Sequence, residues 1–233
     1  MRYLALATDY DGTLATDGVV DDLTLAALDR LCSSGRKLIM VTGRELDDLQ
    51  RVFPALDLFD RVVAENGGLL YWPATGAEKL LSQTPPARLI ETLRDRGVAP
   101  ISIGRVIVAT WQPHETIVLE VIRDLGLEYQ VIFNKGAVMV LPTGINKATG
   151  LAAALEELGL SGRDVVGVGD AENDHAFLQA CGCGVAVANA IDSLKADAAW
   201  VTAADHGAGV CELIDGLLAD DPASLDDRSA RRD

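Results

Sequence analysis

Leu4-Ala5-Leu6-Ala7-Thr8-Asp9-Tyr10-Asp11-Gly12-Thr13 begins with five uncharged residues and then sets two acids two positions apart, just before a glycine. A short apolar run with that boundary reads as a strand buried on both faces, as in a parallel sheet. Asp9 and Asp11 then leave its carboxyl end, where open α/β sheets bind ligands. The run reaches Asp9 too soon for a signal peptide and shows no cleavage pattern. That reading places the protein in the cytoplasm.

Outward from this strand, apolar runs alternate with amphipathic segments. Residues 22–34 read as a helix capped by Asp21 or Asp22 and closed by Gly35. Strands follow at 37–42 and 61–64, with a helix at 45–52 between them. After 147 the rhythm resumes: helix 147–158, strand 164–168, helix 173–180, strand 184–187 and a short strand at Trp200-Val201-Thr202. Strands alternating with helices predict an α/β fold, a doubly wound parallel sheet covered on both faces.

The middle breaks the rhythm. Ser82-Gln83-Thr84-Pro85-Pro86 reads as a linker. Two helices (87–96 and 113–125), strand material over 101–110, and strands 129–134 and 137–141 around Lys135-Gly136 follow it. The tight Asn-Lys-Gly turn predicts an antiparallel hairpin. Residues 84–143 are therefore expected to be a small α+β domain inserted into a core of residues 1–83 and 144–218, with 219–233 a polar, disordered tail.

The formal net charge is -15, which opposes nucleic acid as a partner. No apolar run reaches the roughly 18 residues of a membrane span. Cys32, Cys181, Cys183 and Cys211 lack zinc-site spacing and read as buried, reduced thiols. The sequence does not speak to oligomeric state.

The sheet rule gathers polar residues at one edge: Asp9 and Asp11, then Thr42, Gly43 and Arg44, then Glu65 and Asn66, then Asp170, Asn173 and Asp174, with Lys147 nearby. So many carboxylates are unstable together without a cation. With no His or Cys among them, Mg2+ fits better than zinc. Of two acids on one side of an extended chain, one can attack phosphorus while the other handles the leaving group's proton. Thr42 and Lys147 would meet the phosphoryl oxygens.

Asp9-Tyr10-Asp11-Gly12-Thr13-Leu14 resembles the first motif of the haloacid dehalogenase (HAD) superfamily. Val41-Thr42-Gly43-Arg44 resembles its second, Lys147 in Gly144-Ile145-Asn146-Lys147 its third, and Gly169-Asp170-Ala171-Glu172-Asn173-Asp174 its fourth. Their order, and an insertion between the second and third, resemble the Cof-like branch, subfamily IIB, whose core is Rossmann-like and whose insertion is a cap. Val187-Ala188-Asn189-Ala190 and Thr202 extend the likeness; Ala148 stands where the family often has Gly. The resemblance implies a Mg2+-dependent phosphatase working through an aspartyl-phosphate. Asp9 would be nucleophile and metal ligand, and Asp11 acid, then base, and a ligand through its backbone carbonyl. Asp170 would ligate metal directly, with Asp174 and Asn173 in support. Thr42, Gly43, Arg44, Lys147, Asn66 and Asn173 are the candidate phosphate- or substrate-binding residues, and Asp9, Asp11, Asp170 and Asp174 the candidate metal group. The short cap resembles that of phosphoglycolate- and sucrose-phosphatase-like members, so a small phosphorylated metabolite is the expected partner.

Two other functions fit the same acids. A phosphotransferase or phosphomutase would pass the phosphoryl group to a second sugar phosphate, and a non-enzymatic module would only accept it. A receiver-like module is about half this length and carries its acceptor on a middle strand. His114, His175 and His206 read as structural or surface residues. For Asn66, Asn189, Lys135 and Arg105, contact with the site and an ordinary loop or solvated role both stay open.

Overall fold

The N-terminal run forms a strand, β1 (Ala5–Thr8), buried along its whole length. The computed structural model describes residues 2–219. In chain order there follow α1 (Asp22–Ser33), β2 (Lys37–Val41), α2 (Leu46–Val52), β3 (Arg61–Ala64), β4 (Leu69–Trp72), β5 (Ala77–Leu80), α3 (Ala87–Asp95), β6 (Ser102–Ile103) and β7 (Val108–Trp111). The chain continues through α4 (Glu115–Asp124), β8 (Tyr129–Asn134), β9 (Ala137–Pro142), α5 (Lys147–Leu158), β10 (Val165–Gly169), α6 (His175–Ala180), β11 (Cys183–Ala186), α7 (Asp192–Asp197), β12 (Trp200–Val201) and α8 (His206–Ala219).

The larger sheet runs β12-β11-β10-β1-β2-β3-β4-β5. All pairs from β12 to β3 are parallel, and β4 and β5 add an antiparallel edge. The chain leaves β1 toward β2 and β3, and returns on the other side at β10. Strand β1 therefore sits at the topological switch point, where such sheets open a crevice. Register brings the strand ends level: Thr8 pairs with Val168 on one side and Met40 on the other. Continuous apolar runs in β1, β2 and β10 suit this doubly covered sheet, with Leu6, Leu38, Ile39 and Val166 fully buried.

Local chemistry fixes the helix starts. Asp21 accepts a 2.7 Å bond from the Thr24 amide and caps α1. Asn146 and Thr149 form a capping box that begins α5 at Lys147. Gly159, in the left-handed region, ends the same helix.

Residues between 102 and 142 build a second, four-stranded antiparallel sheet, β6-β7-β9-β8. Alternation assigns its two faces. Val108, Val138 and Val140 pack against Leu89, Leu93, Val118 and Val121 from α3 and α4. Ile107, Met139 and Leu141 form a separate cluster on the other face. A Cβ on Gly43 would lie 2.7 Å from Met139 Cε, so this face meets the ends of the larger sheet.

The strand material expected over 101–110 is two strands joined by a loop. The loop meets Glu65, which is fully buried. The Glu65 carboxylate accepts the backbone N–H groups of Arg105 (2.9 Å), Val106 (2.7 Å) and Ile107 (3.1 Å). Those amides leave the strand ladder to wrap an anion from the larger sheet. Glu65, Asn66 and Gly67 all have positive φ (53°, 53° and 102°). Glycine is required at 67, because a Cβ there would stand 2.0 Å from the Asn146 carbonyl oxygen. Replacing Glu65 by Ala is expected to cost on the order of 3 kcal/mol, since three amides lose their acceptor together. Glu65→Gln should recover part of that. Urea unfolding of the two variants would check it, and equal loss in both would contradict the account.

Three further elements escape the sequence reading: the β4–β5 hairpin, α7 and α8. The helix expected from 173 is a single 3-10 turn over Glu172–Asp174, then α6. The expected tail lies outside the described residues, apart from Ala219 at the end of α8. Among the described residues, no helix is long and apolar enough to cross a membrane.

Candidate active site

Asp9 follows β1 directly and is 4% exposed. Lys147 Nζ donates to its Oδ1 at 2.7 Å and to Asp174 Oδ1 at 2.6 Å. The capping box at Asn146 makes this reach possible, because it places Lys147 in the first turn of α5 with its side chain 1% exposed. Asp174 Oδ2 accepts the backbone N–H groups of Asp170 (2.8 Å) and Ala171 (3.0 Å). Asp174 thus shapes the turn after β10 that presents Asp170. Thr13 Oγ1 donates to Asp170 Oδ1 at 3.0 Å.

Asp9, Asp170 and Asp174 offer oxygens that all lie within 4.8 Å of one another. With all three ionised, Lys147 and the Lys135 ammonium on Asp170 together leave one negative charge uncompensated. Burial pushes the Asp9 carboxyl well above the ordinary carboxylate range, Lys147 opposes the shift, and Asp174 and Asp170 add to it. Burial also disfavours the Lys147 charge, but Asp174 and Asp9 outweigh it and hold the ammonium firmly protonated. The cluster is short of positive charge. A divalent cation would restore the balance, and an all-oxygen donor set suits a hard ion. The residues present therefore fit a metal.

Asp11 takes a different direction. Its carboxylate accepts from Arg44 Nε at 2.7 Å and Nη2 at 2.6 Å, a two-pronged pair. Arg44 also pairs with Asp48 and is held still further toward its charged form, chiefly by the hydrogen bonds to Asp11. The Asp11 side chain is thus not among the three converging carboxylates. Thr42 is fully buried, and its Oγ1 accepts the Arg44 N–H at 3.1 Å. Gly43 and Arg44 line the cavity above.

Asn173 Nδ2 donates to Asn66 Oδ1 at 2.9 Å. Asn66 Nδ2 and Asn173 Oδ1 are buried without a partner, and the Asn173 amide lies beside Gly43. Unpaired buried amide atoms are uncommon and call for an explanation. A phosphoryl oxygen accepting from Asn66 Nδ2 would supply one for the donor; Asn173 Oδ1 needs a donor of its own.

Gly12 holds the loop together. Its φ is +82°, and a Cβ there would stand 2.3 Å from Asp170 Oδ2. Its carbonyl accepts from Asn189 Nδ2 at 2.7 Å and lies 2.9 Å from His206 Nδ1. His206 thus reaches the loop after β1 as a structural partner. His175 pairs with Asp197 and Ser193, and His114 Nε2 lies 3.1 Å from the Ala99 carbonyl oxygen. Burial raises the Cys181 thiol to about 12, which leaves it unreactive.

A cavity of about 790 Å³ opens between the two sheets, with Asp9, Asp11, Gly43 and Arg44 on one side and residues of β7, β9 and the β8–β9 turn on the other. Lys135, at the tip of that turn, reaches Asp170 with its ammonium, while its backbone N–H binds Glu172 at 3.1 Å. Arg105 stays outside the cavity, paired with Asp47 and Glu78. Sequence reasoning passed over Thr13 as a site residue, although it stands inside the first motif. It also gave no sign of the Glu65 amide cradle, which joins segments forty positions apart.

Comparison with known proteins adds to this geometry. The model of the haloacid dehalogenase-like hydrolase family matches residues 6–105 and 120–214. Phosphoglycolate phosphatase of Methanothermobacter thermautotrophicus is 33% identical over 221 residues, covering 90% of this chain and 96% of that protein. Phosphoglycolate phosphatase 2 of Saccharolobus solfataricus is 29% identical over 222 residues, covering 93% of each. A solved HAD subclass IIB sugar phosphatase superposes with a TM-score of 0.76 at 19% identity, covering 91% of this chain and 98% of that one.

Proposed function

Since the chain belongs to the haloacid dehalogenase-like hydrolase family, we propose that it is a phosphatase of small phosphate monoesters, with a sugar phosphate or a phosphoglycolate-like acid as substrate. It is an enzyme of the Cof-like branch and binds a metal ion; we propose Mg2+. The observation that carries the reading is Asp9 at the cavity floor, backed by Lys147 and by two further buried acids.

Asp9 and Asp170 would hold the ion with the Asp11 backbone carbonyl, Asp174 supporting them. The bound ion supplies positive charge to the phosphoryl oxygens. An Asp9 oxygen attacks phosphorus, and the bond from phosphorus to the ester oxygen breaks. Asp11 gives its proton to the leaving oxygen. Water then attacks the aspartyl-phosphate, giving a proton to Asp11, and the phosphorus–Asp9 bond breaks to release phosphate. Arg44 grips both oxygens of Asp11, so one must be freed before the proton can move. Thr42, Gly43, Lys147, Asn66 and Asn173 would surround the transferred group, with Asn66 Nδ2 free to donate to it.

Residues 84–143 are the cap in this reading, and 1–83 with 144–218 the core. The net charge of -15 argues against nucleic acid, and a cytoplasmic metabolite is the fitting substrate. Phosphate release from a panel of sugar phosphates, 2-phosphoglycolate and p-nitrophenyl phosphate is expected in Mg2+. EDTA should abolish it and excess Mg2+ restore it. No release from any ester would sink the phosphatase reading; release indifferent to EDTA would sink the metal.

A further inference from the structure

We propose that Lys135 selects the organic part of the substrate by binding a carboxylate carried a short distance from the phosphate. The inference rests on the phosphatase reading above and narrows its substrate to phosphorylated short-chain acids.

Among the residues lining the cavity, Lys135 is the only charged one supplied by segment 84–143. Its neighbours from that segment are mostly apolar, with Ile107, Ala109, Ala137 and Met139 among them. An organic group held there meets hydrocarbon, the neutral polar groups of Ser102, Thr110 and Asn134, and one ammonium. The other cations are committed: Arg44 is shared between Asp11 and Asp48, and Lys147 is buried between Asp9 and Asp174. The Lys135 side chain is 45% exposed and has one carboxylate partner, Asp170.

That partner is one of the three acids that would hold the metal. A cation on Asp170 weakens its hold on the Lys135 ammonium, which has three N–H donors and needs another acceptor. The base of the side chain stays in place meanwhile. Lys135 has a φ of +46°, Gly136 follows at +89°, and the Lys135 amide is tied to Glu172. The ammonium therefore turns about a fixed point beside the phosphate site.

Its reach sets the length of the substrate. Lys135 touches Asp170, and Asp170 lies within 4.8 Å of Asp9. An anion on Lys135 is therefore held close to a phosphate on Asp9, which favours a short substrate. A sugar phosphate would set a neutral hydroxyl there and leave the ammonium without a counter-charge.

The test compares 2-phosphoglycolate with 2-hydroxyethyl phosphate, which replaces the carboxylate by a neutral alcohol at equal length. In Lys135→Gln, KM for 2-phosphoglycolate is expected to rise about ten- to a hundred-fold, the weight of one hydrogen-bonded charge. For 2-hydroxyethyl phosphate the loss in kcat/KM should be at least about tenfold smaller than for 2-phosphoglycolate, and Lys135→Arg should regain most of the lost affinity. Equal loss on both substrates would overturn the inference, by making Lys135 a general brace of the site. No change on either would also overturn it. Wild-type protein that cleaves 2-hydroxyethyl phosphate but not 2-phosphoglycolate leaves the phosphatase standing and removes the role of Lys135. Wild-type protein inactive on both, and on p-nitrophenyl phosphate, removes both.

Discussion

Asp9→Asn is expected to lower turnover by on the order of 10⁴-fold or more while leaving the fold as stable as before, or more so. The amide oxygen of Asn can still accept the 2.7 Å bond from Lys147 Nζ. What disappears is the anionic nucleophile and one of three crowded carboxylates. Burial already favours the protonated form of Asp9. A group with a raised folded pKa stabilises at low pH and loses that contribution as pH rises, so at neutral pH ionised Asp9 works against folding. Removing it relieves the metal-free protein. Phosphate release in Mg2+ and a metal-free thermal melt would check both halves. Activity within tenfold of wild type would sink Asp9 as nucleophile.

Lys147→Met should do the opposite to stability. Its ammonium is buried between Asp9 and Asp174, 5.9 Å from the centre of the Phe177 ring. Removing it leaves carboxylates facing each other without their shared cation. Breaking a buried pair in this way costs about 3–5 kcal/mol, or roughly 10 °C in melting temperature for a chain of this size. Activity should vanish as well. Adding Asp174→Asn to Lys147→Met should cost less than the two single losses combined, because the second change removes a stranded charge. Additive melting shifts would count against the coupling, and an unchanged melting point in Lys147→Met would refute it.

The chemistry was legible where function compresses it into short stretches. Asp9-Tyr10-Asp11-Gly12-Thr13 follows an apolar run, and the parallel sheet brings that run level with the strands before Thr42 and Asp170. Elements whose sequence imitates loop were harder to read. Strand β5 is Ala-Glu-Lys-Leu, exposed at every position, so it shows no alternation between faces. Helix α8 carries Gly207, Gly209 and Gly216, which weaken a helical signal, and α7 has only six residues. Contacts made across the chain leave no local trace. Nothing near Glu65 announces the amides of 105–107, and nothing in Asn134-Lys135-Gly136 announces Asp170.

The grip of Glu65 on those amides bears on how such a protein is recombined. A transplant cut at the apparent seams of 84–143 would bring in a foreign loop while the host kept its acid. Unless the donor loop offered the same run of free N–H groups, the graft would bury a carboxylate with nothing to hold. The exchangeable module is therefore not one continuous stretch. It is the insertion together with Glu65, a residue that lies outside it in the chain.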